Sequence, residues 1–160
     1  MHYKSFKISF SIRFLKIFLF FFSIQSFGQY EIPNKPTTQK AVYQFKKILN
    51  ESDENSLNQK LIKYADSTST QIVIVSIDST KGEDVLFLGA QWAQKWGIGQ
   101  NELDNGILIL IAVDDRKLSI NTGYGVEEFL TDARSKRIID KTISPKFKKS
   151  EYYKGLNLAT

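Results

Sequence analysis

Two groups of carboxylates carry the chemistry this sequence can offer. The first is Asp104 and Asn105, with Glu127 and Asp132 soon after the glycines of Gly123-Tyr124-Gly125. The second is Asp78, Asp114 and Asp115, followed by Arg116. Clustered carboxylates with nearby backbone carbonyls suit a hard cation, since calcium takes six to eight oxygen ligands. Calcium is therefore the expected ion, with magnesium the lesser fit. Arg116 would steady a phosphate bound beside such an ion. Asp104 and Asp114 cannot share one ion. They flank a single apolar strand, and at about 3.3 Å per residue their separation exceeds about 20 Å.

Each group also has a purely structural reading. Asp104-Asn105-Gly106 is a strong turn signal. Asp114-Asp115 suits a hairpin turn, and Asp132 beside Thr131 suits a helix cap. The antiparallel return of the chain favours the Asp104 group by bringing Gly123 back beside it. The Asp78 group lies at the carboxyl ends of two parallel strands, where open α/β sheets bind ligands. The residues leave both groups open.

What is missing narrows the chemistry further. There is no Cys, and the single His and single Met are His2 and Met1. Residues 1–28 have the layout of a secretory signal peptide. Lys4, Lys7, Arg13 and Lys16 form a basic region, Ile17 to Ile24 an apolar run, and Ser26-Phe27-Gly28 a small-residue cleavage site. The run is too short for a membrane span, which needs about 20 residues. Cleavage would leave neither imidazole nor thiol. That excludes Ser-His-Asp and Cys-His catalysis and the usual zinc sites. The formal charge of +5 falls to +1 once the four leader bases are removed, so nucleic acid is not an expected partner. Gly123-Tyr124-Gly125 lacks the rest of a nucleotide fingerprint, so no nucleotide cofactor is expected. It reads as a chain reversal needing positive φ.

The elements that must position these residues follow from periodicity. Residues 29–40, with Pro33 and Pro36, read as an extended linker or arm before a domain at 41–160. A helix starts near Ser52, which can cap it, with Leu57, Leu61, Tyr64 and Ala65 on one face. Gln71 to Ile77 is a β-branched strand. Residues 83–96 form a second helix whose stripe of Val85, Leu88, Trp92, Ala93 and Trp96 faces the core. Ile107 to Val113 is apolar on both faces and reads as a central strand parallel to the first. Asp114-Asp115-Arg116 turns it back into Lys117 to Thr122, an alternating and half-exposed strand. A third helix runs from Thr131-Asp132 to Pro145, which closes it. A last helical segment begins at Lys154, and the domain is expected to continue past Thr160.

In order along the chain come Trp96-Gly97-Ile98-Gly99, Asp104-Asn105-Gly106 and Asp115-Arg116-Lys117. Gly123-Tyr124-Gly125-Val126-Glu127, Thr131-Asp132 and Pro145-Lys146-Phe147 follow. This series, spread over residues 40–160, resembles the TPM-domain family of thylakoid-lumen, photosystem-repair and receptor-modulator domains. One departure is Asn121, where the family often has an acid. The resemblance implies a three-layer α/β/α sandwich outside the cytoplasm, in the periplasm or cell envelope. Its mixed sheet would hold a βαβ unit followed by an antiparallel hairpin. It also implies calcium binding and weak acid-phosphatase activity, as in some plant-type members. Other members are accessory subunits of membrane-protein complexes. The expected function is a calcium-binding accessory or interaction module, with metal-assisted phosphomonoester hydrolysis as the alternative.

Overall fold

The computed structural model describes residues 29–99 and 103–160. The leader and its cleavage site lie outside the described residues. Four strands form one sheet in the order β1-β2-β3-β4. β2 (Gln71–Ile77) and β3 (Gly106–Ala112) are parallel, with Ile74 opposite Ile109. β4 (Lys117–Thr122) returns antiparallel to β3, with Leu110 opposite Ser119. The expected βαβ unit and hairpin are therefore both present. β1 (Val42–Gln44) adds a third parallel strand beside β2. Three residues are too few to show a period, so β1 leaves no pattern in the sequence.

The sheet is buried on both faces, as parallel sheets with helices on each side must be. Ile72, Ile74, Ile109, Ile111 and Ile120 face a core with Leu57, Leu61, Ile143 and Leu156. Val73, Val75, Ile77, Leu108 and Leu110 face the other core with Leu88, Trp92 and Trp96. The first core is closed by helix α1 (Glu51–Thr68), the second by α2 (Val85–Trp96). The result is an α/β/α sandwich. Burying a Trp or a branched aliphatic side chain contributes about 1.5–3 kcal/mol each, so the two cores carry the stability.

Several local expectations are corrected. The cap of α1 is Asn50 rather than Ser52: the Asn50 side chain accepts from the Asp53 N–H at 2.9 Å. The stripe of α1 stops short of Tyr64, which is exposed. Asp84 caps α2, which begins at Val85. β4 is not open on its second face. The Ser119 hydroxyl donates to the Val85 carbonyl at 3.1 Å and the Asn121 amide to that of Leu86 at 2.7 Å. Gly89 permits this approach, because a Cβ there would meet the side chains of Asn121 and Ser119.

The connection after β4 is a series of short helical segments separated by turns at 128–131 and 148–151. α3 (Tyr124–Glu127) leads to α4 (Asp132–Ile138), capped by Thr131. A π turn (Ile139–Ile143) then passes into α5 (Ser144–Phe147), and α6 (Tyr152–Ala159) follows. Pro145 therefore does not end the helical path. It sits in the first turn of α5, where a missing N–H costs little, and the π turn opens the ladder ahead of it. The last segment also begins earlier than Lys154.

The arm at 29–40 packs onto the α2 side, with Tyr30 and Ile32 joining that core. The Trp96 indole N–H donates to the Pro33 carbonyl at 2.9 Å. Lys35 returns a bond to the Trp96 carbonyl at 2.8 Å. Both tryptophans are buried, as their stripe implies. No helix among the described residues is long and apolar enough to cross a membrane.

Candidate functional site

At the carboxyl ends of β2 and β3, Asp78 and Asp114 are neighbours. The Asp114 N–H donates to the Asp78 carbonyl at 2.9 Å. Lys46 lies between their side chains, with Nζ 2.8 Å from Asp78 Oδ1 and 3.6 Å from Asp114 Oδ1. The end of β1 places it there. The Lys46 N–H donates to the Ser76 carbonyl, and the buried Ser76 hydroxyl donates back to the Lys46 carbonyl at 2.6 Å. The bond to Asp78 and the charge of Asp114 raise the Lys46 ammonium above its ordinary value. All three side chains are well exposed, so the ion pairs add little stability. Lys46 escaped the sequence reading because it depends on β1.

Asp115 does not join them. Its carboxylate turns to the loop before α2. It accepts from the Thr80 N–H at 2.7 Å and from the Ser79 hydroxyl at 2.8 Å, with the Thr80 hydroxyl 3.1 Å away. These bonds, the Thr80 N–H first, hold its carboxyl below the usual carboxylate range. Arg116, in the left-handed region at φ 54°, lies apart from the three acids. It lines a cavity on the α6 side with Lys148 and Tyr152.

At the other end of β3 the backbone does most of the contacting. Asp104 is left-handed at φ 43°. Its carbonyl accepts from the Gly125 N–H at 3.0 Å, and the Gly123 N–H donates to the Gly106 carbonyl at 2.8 Å. Gly123 and Gly125 are not at positive φ, which corrects the reason given for them. They are needed for close approach. A Cβ at Gly123 would run into the Asp104 carbonyl and one at Gly125 into that of Leu103. Asn105 is buried, and its amide donates to the Ser69 carbonyl at 2.6 Å. Glu127 lies on α3, and Asp132 opens α4 beside its Thr131 cap.

Among the described residues, no three acidic, histidine or cysteine side chains converge as a metal cage. As placed, Asp78, Asp114 and Asp115 do not form a ready calcium cage, which needs six to eight oxygens. Asp115 spends its carboxylate on Ser79 and Thr80, and Lys46 fills the gap between Asp78 and Asp114.

A family profile described as the TPM domain matches residues 42–160, from the first residue of β1 to the end of the chain. The chain belongs to the TPM-domain family. Solved structures of similar fold include three bacterial proteins studied by NMR. The N-terminal domain of a P. gingivalis protein is 27% identical, covering 74% of this chain and 76% of that one, with a TM-score of 0.69. The N-terminal domain of Corynebacterium glutamicum cg2496 is 20% identical, with coverage of 81% and 82% and a TM-score of 0.60. BA42 of Bizionia argentinensis is 21% identical, with coverage of 72% and 78% and a TM-score of 0.61. Comparison with curated proteins gives no significant match. In this TPM domain the Asp104-Asn105-Gly106 and Gly123-Tyr124-Gly125 segments form one backbone junction. Asn121 fastens α2 to β4 through the Leu86 carbonyl.

Proposed function

We propose that this TPM domain is exported to the periplasm or cell envelope and works there as an accessory module on a membrane-associated protein complex. The observation that carries this reading is the surface beside the glycine junction. Tyr124 is 84% exposed, Phe129 69% and Leu103 51%, and the backbone of Leu103 lies against Gly125. Large apolar and aromatic side chains exposed beside a close backbone junction are the material of protein interfaces. Calcium enters the proposal at one place, between Asp78 and Asp114, and only by displacing Lys46. Such an ion would be weakly held, and magnesium, which demands a stricter octahedron, more weakly still.

The alternative, metal-assisted phosphomonoester hydrolysis, draws on the position of Asp78 and Asp114 at the carboxyl edge of parallel strands. With Asp115 committed to Ser79 and Thr80, that edge is left without an evident base.

The test is a photo-crosslinking amino acid at position 124 of the full chain, with position 63 on the exposed side of α1 as control. Adducts with envelope membrane proteins at 124, absent at 63 and abolished by Phe129→Ser, are the expected result. Equal labelling at both positions, or recovery of the protein from the cytoplasm, overturns the proposal.

A further inference from the structure

The cavity beside Arg116 stands at the opposite end of β4 from Tyr124 and is independent of the surface proposed above. Its volume is about 440 Å³, within the range of ligand-binding pockets. Arg116, Lys117 and Lys148 line it, and no carboxylate does. The acids nearest in sequence are engaged elsewhere. Asp114 faces Lys46, Asp115 is held by Thr80 and Ser79, and Glu151 lies 3.6 Å from Lys146. Neither Arg116 nor Lys148 has an ion-pair partner among the described residues. The floor is apolar, made by Ile111, Val113, Leu118 and Phe147. The hydroxyls of Ser144, Ser150 and Tyr152 complete the wall. Arg116 and Ser150 are both left-handed, at φ 54° and 58°, a backbone state that costs energy and recurs at ligand clamps.

The pocket also touches a sheet edge. Lys117 and Leu118 open β4, and among the described residues β4 has a strand neighbour on one side only, β3. Its outer edge can therefore take an added strand. A peptide laid antiparallel along that edge ends where β4 begins, at the pocket. We propose that this pocket captures the free C-terminal carboxylate of an extended partner peptide ending in an apolar residue. The Arg116 fork takes the carboxylate in a two-point bond, Lys117 and Lys148 add charge, and the last side chain rests on the apolar floor. The β4 edge supplies main-chain hydrogen bonds to the residues before it. A free inorganic anion would use the cations and leave both the floor and the edge idle.

The experiment uses a pool of N-acetylated hexapeptides, randomised at the last four positions, made once with free carboxylates and once as C-terminal amides. Peptides retained by the immobilised full chain are sequenced, and the best is titrated by NMR. Expected are recovered peptides with an apolar last residue and at least tenfold weaker binding of the amide. Amide shifts should be concentrated in residues 116–122. Arg116→Asn combined with Lys148→Gln should weaken binding at least tenfold without moving the melting temperature, since Asn tolerates the left-handed backbone. Tyr124→Ser should leave binding unchanged. Equal retention of acid and amide pools, retention indifferent to the double substitution, or competition by inorganic phosphate with no end-residue preference each overturn the proposal.

Discussion

Replacing Asp115 separates a structural acid from a ligand. In Asp115→Ala, the Thr80 N–H loses its acceptor, and Thr80 is fully buried. An orphaned buried donor costs about 1–3 kcal/mol. The Thr80 hydroxyl has one proton and keeps the Glu83 carbonyl at 2.9 Å, so it adds little. The Ser79 hydroxyl is only half-buried, and water replaces its bond in part. The sum is about 2 kcal/mol. Unfolding entropy near 2.1 cal/mol/K per residue over roughly 130 residues gives about 0.27 kcal/mol/K, so the melting temperature falls by about 7 °C. Asp115→Asn keeps one acceptor oxygen and loses about half as much. The pH dependence gives a second reading. The folded carboxyl titrates below its unfolded value near 3.9. Its contribution is complete above about pH 5 and is lost as pH falls through the folded value. The gap between native protein and Asp115→Asn should therefore shrink below about pH 4. The assay is chemical denaturation at pH 7 and pH 3, with calcium and with a chelator. A loss under about 0.5 kcal/mol at pH 7, or a loss that appears only with calcium present, would refute the structural role.

Lys46→Met removes an exposed ion pair, so the melting temperature should hardly change. It should tighten calcium binding at Asp78 and Asp114 at least tenfold by calorimetry, and unchanged binding would show that Lys46 does not guard that gap. Gly125→Ala sets a helix propensity gain of up to about 1 kcal/mol against overpacking of about 1–3 kcal/mol on a main-chain carbonyl that has no rotamer to give. A net loss of about 1–2 kcal/mol is expected in thermal melts, and stabilisation would mean that the Leu103 contact is slack.

Pattern alone revealed the strongly periodic parts. The apolar run at 107–113 is buried on both faces, so its composition left no room for another assignment. The stripe holding Leu88, Trp92 and Trp96 did the same for α2. The motif series pointed to the family, although the reason for Gly123 and Gly125, close approach to Leu103 and Asp104, is tertiary.

Tertiary structure decided the rest, because it turns on which groups meet. β1 is too short to have a period and exists because β2 offers it an edge. Through β1 came Lys46, which pairs with two adjacent carboxylates that the sequence offered as cation ligands. Asp114, Asp115 and Arg116 are consecutive, yet the turn sends them to three surroundings: an exposed lysine, a buried loop amide and a basic cavity. Sequence fixed which functional groups this chain possesses. Only the packing of helices on both sheet faces determined which of them were already hydrogen-bonded and which still face solvent, and that difference separates a supporting residue from one able to bind.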